Sequence, residues 1–283
     1  MKVTSIYPGT VGEIVQGKFK EKDVLISCPV NLMTKVTIFE SMEIEPLQSS
    51  LKTQKFLINI LKRWHFEEYI KNMNVVISSN IPRGKGFASS TADLCAAYYA
   101  LLKMFNKKFN EKELIEECIK IEPTDSILFD KITVFDYKGG TYKETLGEYL
   151  KFYLLVFEGK GTVETVEFNN KKLEELRNAD DLIIRVKNSL KNRDIKGIGE
   201  AALESIMRNE NRLKYDILPE ITRIKDETGG LGIIGAHSGN VLAIVYDDFN
   251  ILNRAKKKVR EIKGYKTYIL ETLNENEMKI GVK

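Results

Sequence analysis

Cysteine and histidine are scarce in this chain of 283 residues, which holds three of the first and two of the second. Cys28, Cys95 and Cys118 are odd in number, far apart and set among apolar neighbours, with no Cys-x-x-Cys spacing. That argues against a disulfide framework or a thiolate zinc site and predicts reduced, buried thiols in a cytoplasm. With only His65 and His237 available, histidine-based metal chemistry is not expected. No apolar run approaches membrane-spanning length, and Met1-Lys2-Val3-Thr4-Ser5-Ile6 runs into strand-like sequence without a signal-peptide core. An excess of basic over acidic residues of only +4 gives no reason to expect a polyanionic partner. A soluble, cytoplasmic protein with neither membrane nor nucleic acid as a partner is expected.

What is present is 43% hydrophobic and 30% charged residues, in a length that suits one large or two modest domains. The opening reads as β-rich: a run through Ser5 and Ile6, the turn Pro8-Gly9-Thr10-Val11-Gly12-Glu13-Ile14-Val15-Gln16-Gly17, a hairpin-like return over 24–27 and alternation over 35–40. Three glycines and a proline within that turn predict a tight backbone path, pressed against a ligand or another strand. Phe56, Leu57, Ile60, Leu61 and Trp64 recur at helical spacing over 50–69, with His65 on the polar edge. Helices are also predicted over 92–105, 111–121, 170–192, 195–213, 219–227 and 249–262, and strands over 74–79, 132–137, 152–158 and 266–270. Residues 229–246 read as two strands joined by a glycine turn. Lys256, Lys257 and Lys258 read as the wet face of the helix over 249–262, not as a nucleic-acid patch. A domain boundary is placed near residue 150, giving units 1–150 and 151–283.

The chemistry concentrates in Ile81-Pro82-Arg83-Gly84-Lys85-Gly86-Phe87-Ala88-Ser89-Ser90-Thr91-Ala92-Asp93. This stretch joins a strand-like run to a segment of small apolar residues, so it reads as strand, glycine-rich loop and helix start. Gly84 and Gly86 let main-chain N–H groups approach a ligand, and Ser89, Ser90 and Thr91 are placed to cap the first turn. The free N–H groups and dipole of that turn favour an anion, and Arg83 and Lys85 add cations, so phosphate is the expected guest. A Walker A loop needs Ser or Thr directly after Gly-Lys, where Gly86 stands, and a dinucleotide fingerprint needs a third glycine where Ser89 stands. An ordinary glycine turn before a Ser-capped helix is the alternative. The second loaded stretch is Glu122-Pro123-Thr124-Asp125-Ser126, in which Pro123 disfavours helical geometry at Glu122 and makes a rigid turn. Taken alone, Asp125 there reads as a turn cap.

Residues 82–92 resemble the second motif of the GHMP kinases, the family of galactokinase, homoserine kinase and mevalonate kinase: a Pro, two or three glycines, two serines and an Ala entering a helix. The order of motifs is similar too, with Pro8-Gly9 before this loop and Gly235-Ala236-His237-Ser238-Gly239 after it. Within the family the chain resembles the L-threonine kinases of cobalamin synthesis and propanediol utilisation. The residues that carry this are Gly12-Glu13 with Gln16-Gly17, Ser27-Cys28-Pro29, Gly84-Lys85-Gly86 with 88–93, and Glu122-Pro123-Thr124-Asp125. The third motif departs from the pattern, since Asn240 and Val241 stand where further glycines would.

The resemblance implies an α+β fold of two domains, the first like ribosomal protein S5 domain 2 and the second ferredoxin-like, with ATP and a small alcohol, here an amino acid, between them. It implies that Pro82, Arg83, Gly84, Lys85, Gly86, Phe87, Ala88, Ser89, Ser90 and Thr91 hold ATP. Ser90 and a carboxylate, Glu122 in preference to its neighbours Glu116 and Glu117, would hold Mg²⁺. Asp125 would accept or polarise the proton of the acceptor hydroxyl. Glu13, Gln16, Ser238 and Gly239 would face the acceptor, although Glu13 and Gln16 are equally suited to fixing the N-terminal turn. A homodimer is compatible with the resemblance. Two alternatives stay open: another GHMP kinase acting on homoserine, an isoprenoid or a sugar alcohol, and a non-catalytic ligand sensor that kept the fold.

Overall fold

A computed structural model describes residues 1–41, 50–161, 174–259 and 262–281. Alternation decides the first sheet. β1 (Lys2–Thr10) pairs antiparallel with β4 (Pro29–Glu40), and β4 with β5 (Met73–Ser79). In β4, Thr34, Val36 and Ile38 turn inward while Lys35 is exposed and Thr37 and Phe39 are half-buried, which is the period-two pattern of a sheet covered on one side. The β1 register slips between Pro8 and Thr10. Gly9 lies in that slip, and a Cβ there would stand 2.7 Å from Phe87 O, so the irregularity lets the glycine-rich loop approach the strand.

A second antiparallel sheet has the order β2 (Val15–Phe19), β3 (Lys22–Ile26), β6 (Ile132–Asp136), β7 (Lys143–Gly147). Sequence periodicity does not announce β7, because its residues are polar and half-covered. Three helices complete this half. α1 (Leu51–Arg63) is capped by the Ser50 hydroxyl, which accepts from Thr53 N, and buries Phe56, Leu57, Ile60 and Leu61. It ends short of the expected Tyr69: Trp64 closes it, and His65 is exposed with φ 61°. α2 (Ser89–Met104) packs against β1 and β4 on one side and against α1 and α3 (Glu111–Ile119) on the other. Burial on nearly every face accounts for its lack of amphipathic pattern, and Ala92, Ala96, Ala97 and Ala100 permit the close approach.

The remaining strands are β8 (Tyr153–Gly159), β9 (Gly232–Gly235), β10 (Val241–Tyr246) and β11 (Tyr265–Glu271). They form one antiparallel sheet in the order β11-β8-β10-β9, the ferredoxin-like arrangement. Helices α4 (Asp180–Asn192), α5 (Ile195–Arg208) and α6 (Leu218–Thr228) lie between β8 and β9 in the chain. α7 (Phe249–Lys258) separates β10 from β11, and α8 (Glu275–Gly281) follows as an element the periodicity does not announce. β10 is apolar throughout because both its faces are buried. Val241, Ala243 and Val245 join the core shared with the N-terminal sheets, whereas Leu242, Ile244 and Tyr246 join a second core beneath α6 and α7.

Three helix expectations are corrected at their ends. The helix foreseen over 170–192 starts at Asp180, because the backbone of Arg177 and Ala179 pairs with Lys18 at the edge of β2; residues 162–173 lie outside the described residues. α5 stops at Arg208 instead of Leu213, where the Asn209 side chain turns back to Ser205 O and across to Gln16 O. α7 stops at Lys258, since Val259 takes an extended conformation, and residues 260–261 lie outside the described residues. Cys28, Cys95 and Cys118 are free and buried, as the sequence predicts. Among the described residues, no helix is long and apolar enough to cross a membrane.

Candidate active site

Three glycine-bearing turns far apart in the sequence meet at one place. Gly12 N donates to Gly86 O at 2.8 Å, Glu13 N to Gly235 O at 3.2 Å, and Asn240 N to Lys85 O at 3.0 Å. The contact is tight enough that only glycine fits: a Cβ on Gly12 would overlap the Gly235 backbone, and one on Gly86 would overlap the Ala236 methyl. Both residues also have positive φ, 57° and 91°. The Tyr215 hydroxyl pins the third turn by donating to Ala236 O at 2.5 Å.

Beside this junction lies a cavity of about 380 Å³. One part of its lining is the glycine-rich loop, through Arg83, Gly84, Gly86 and residues 87–91, and another is the turn 122–125. Glu13, Gln16, Leu25, Tyr137 and Ser238 supply more of it, as do residues 50–52 at the start of α1. The structure thus gathers Glu13, Gln16, Arg83, Ser90, Glu122, Asp125 and Ser238 around one space. Three expected site residues do not line it. Pro82 lies outside the lining. Gly239 packs against the backbone of Lys85 and Gly86, where it braces the loop. Lys85 turns away: its ammonium donates to Gly159 O and stands 3.9 Å from Glu158, so its side chain ties the loop to β8 instead of adding a cation to the cavity.

The helix start also differs from expectation. Ala88, not a serine, is the N-cap of α2, with φ 51° and no side-chain hydrogen bond. Ser89, Ser90 and Thr91 stand inside the first turn, and the first two belong to the cavity lining along with Thr91, whose hydroxyl accepts from Asp125 N at 3.1 Å. The free main-chain N–H groups of this turn therefore keep their capacity for an anion.

Asp125 is a cap and a cavity residue at once. Its Oδ1 accepts from Ile127 N at 3.0 Å and its Oδ2 from the Ser27 hydroxyl at 3.1 Å. Burial first, and the nearby Glu13 carboxylate second, push its carboxyl up to about 7, against the pull of those hydrogen bonds. A group that titrates there is matched to proton transfer at neutral pH.

Glu122 Oε2 pairs with the Lys52 ammonium at 2.6 Å, while its Oε1 is buried with no hydrogen-bond partner among the described residues. An orphaned carboxylate oxygen lining the same cavity as the Ser90 hydroxyl fits a hard divalent cation. Among the described residues no group of three or more His, Cys, Asp or Glu gathers around a point. A cation there would draw its other ligands from phosphate oxygens and water, as Mg²⁺ does. The sequence offers no motif for Lys52 or Tyr137, and it places Asp93 in the loop motif without a role. Asp93 accepts from the Thr34 hydroxyl at 2.6 Å and pairs with Arg83 at 3.1 Å, and burial holds its carboxyl above the ordinary range. Tyr137 brings a buried hydroxyl with no partner among the described residues, and burial raises it well above a free phenol.

Residues 53–129, from α1 through the turn of Asp125, match the family described as "GHMP kinases N terminal domain". The chain is similar in fold to solved homoserine and mevalonate kinases along nearly its whole length. Its sequence is similar to the L-threonine kinases of Salmonella typhimurium, 26% identical over 91% of this chain and 85% of that one, and of Citrobacter freundii, 26% identical over 85% of each. In fold it is similar to homoserine kinase from Cytophaga hutchinsonii, with a TM-score of 0.72, 14% identity and coverage of 97% of this chain and 95% of that one. The mevalonate-bound mevalonate-3-kinase of Thermoplasma acidophilum superposes with a TM-score of 0.73 at 13% identity, covering 96% of both.

Proposed function

We propose that this chain transfers the γ-phosphoryl group of ATP to the hydroxyl of L-threonine, giving O-phospho-L-threonine. The observation that carries the reading is the shared cavity: the anion-binding helix start of α2 and the carboxyl of Asp125 face one space of about 380 Å³. Phosphoryl transfer needs little covalent help from a protein, so positioning and charge neutralisation decide the rate. The main-chain N–H groups of the loop and the first turn of α2 bind the phosphates. Ser90 and Glu122 are the residues that would hold Mg²⁺, which would supply positive charge to offset that of the phosphates. Asp125 takes the proton of the acceptor hydroxyl as the oxygen attacks phosphorus, and ADP leaves with the bridging oxygen. Because this carboxyl titrates near 7 it is a competent base at neutral pH, and the Ser27 and Ile127 hydrogen bonds keep it oriented.

Glu13 faces the acceptor's ammonium, and the unpartnered Tyr137 hydroxyl and Gln16 offer hydrogen bonds to its polar groups. The likeness to L-threonine kinases supports threonine as that acceptor, and the motif resemblance supports cobalamin side-chain synthesis as the setting. The fold likeness to homoserine and mevalonate kinases favours a second reading, another small alcohol in the same cavity. The test is ADP release with Mg²⁺-ATP and L-threonine, L-serine, L-homoserine, mevalonate or galactose, with each product identified by mass. Turnover on L-threonine above the others is the expected result. Turnover confined to another alcohol replaces the acceptor, and no transfer to any of them, with ATP bound, favours a sensor.

A further inference from the structure

We propose that His237 and Ser205 are positioning residues for an ammonium-binding carboxylate: they hold Glu13 toward the cavity, where it receives the cationic end of the acceptor. The inference rests on the amino-acid reading above and adds how that specificity is built. Glu13 Oε2 accepts from His237 N at 2.8 Å and faces His237 Nδ1 at 3.1 Å. The other ring nitrogen, Nε2, lies 3.1 Å from Ser205 Oγ, which accepts from Gln16 N at 3.0 Å. Gln16 O is a second acceptor for the Ser205 proton at 3.3 Å, but it already accepts from Asn209 Nδ2 at 3.0 Å, so the shorter contact to Nε2 takes the proton. A neutral imidazole with its proton on Nδ1 satisfies all four groups in one direction. Gln16 N–H donates to Ser205, the Ser205 hydroxyl to Nε2, and Nδ1–H to Glu13. Hydrogen bonds aligned head to tail strengthen one another in a buried setting.

The chain starts and ends on the same N-terminal segment, while its middle members come from α5 and the third glycine turn. Its order is that of a hydrolytic triad, but Ser205 is 0% exposed, so no acyl group reaches it. What remains is orientation. With Oε2 engaged, Oε1 has no hydrogen bond among the described residues, and Glu13 belongs to the cavity lining. Charge then selects the guest. The cavity is lined by two side-chain cations, Lys52 and Arg83, and each is paired with a carboxylate, Glu122 and Asp93. Glu13 and Asp125 line the same cavity and neither is paired with a Lys or Arg among the described residues, and buried carboxylates without a cationic partner favour a cationic guest over a neutral alcohol.

The test compares L-threonine with 3-hydroxybutyrate, which keeps the hydroxyl, methyl and carboxylate but lacks the ammonium. Wild type should favour L-threonine by kcat/KM, and His237→Ala should shrink that ratio about 10- to 100-fold, the worth of a charge-assisted hydrogen bond. His237→Asn, whose amide N–H can replace Nδ1–H, should restore part of the discrimination, and Ser205→Ala should erode it in a protein that keeps its imidazole. ¹⁵N NMR of the imidazole in the resting protein should show the Nδ1–H tautomer, whether or not an acceptor is known. Equal losses on both acceptors in His237→Ala and Ser205→Ala, or an Nε2–H tautomer, overturn the inference and leave the kinase reading in place. A wild type that phosphorylates only uncharged alcohols overturns both this inference and the amino-acid acceptor.

Discussion

Asp125 caps a turn and also lines the cavity in which phosphoryl transfer is proposed. Asp125→Asn keeps the Ile127 cap and removes the base, so kcat should fall about 10²- to 10⁴-fold while the ATP dissociation constant stays within about threefold. Full activity of the variant would remove Asp125 from the chemistry. In wild type, kcat/KM for the acceptor should rise about tenfold per pH unit below about 7 and level above it, and a flat profile from pH 6 to 8 would contradict this. The same titration predicts stability. Because the folded carboxyl is raised from 3.8 to about 7, the native state holds a proton that the unfolded chain releases earlier. Stability therefore declines as pH rises from about 4 to about 7 and is then constant. At pH 8 the variant should melt above wild type, by an effect on the order of a few kcal/mol at most, which scanning calorimetry can read. Tyr137→Phe separates binding from folding in another way. Its hydroxyl is buried and unpartnered, so the variant should lose about tenfold in acceptor kcat/KM with no loss in melting temperature.

At the scale of elements, pattern and outcome agree where one face is buried and part where pairing or close approach intervenes. The spacing of Phe56, Leu57, Ile60 and Leu61 announces α1, and all four are buried. Ser89 and Ser90 look like caps in the sequence, yet Ala88 takes that position in a left-handed conformation and leaves their hydroxyls at the cavity. Polar β7 carries too little alternation to be read, and the start of α4 is set by pairing with Lys18, which no local pattern encodes. The β2–β3 hairpin offers a local test. Its turn residues Lys20 and Glu21 both have positive φ, 47° and 60°, which costs a non-glycine residue energy. Glu21→Gly should stabilise the protein by about 0.5 to 1 kcal/mol, and a lower denaturation midpoint in urea would contradict that account.

At the scale of the whole molecule, the site exists because the C-terminal sheet presses its glycine turn against two N-terminal ones. Gly12 is the clearest probe, since its φ is 57° and a Cβ would strike the Gly235 backbone, which has no flexible end to yield. Gly12→Ala should destabilise by more than about 2 kcal/mol and lower kcat/KM for ATP and acceptor together. Selective loss for one substrate would show that the junction is not shared. The short bonds Gly12 N to Gly86 O and Asn240 N to Lys85 O should exchange slowly with solvent for the same reason.

By itself the sequence determined the local chemistry: a glycine-rich loop at a helix start, an acidic residue behind a proline, buried thiols and most helices and strands. Those are properties of neighbours in the chain, set by backbone freedom and periodic burial. Only the tertiary structure decided which of those residues share a space. It sent the Lys85 ammonium to Gly159 and Gly239 to the loop backbone, and it brought Lys52 to Glu122, Tyr137 to the cavity lining, and His237 to Glu13. The physical reason is distance along the chain: side-chain direction and desolvation depend on partners that packing supplies, and no short-range pattern carries them.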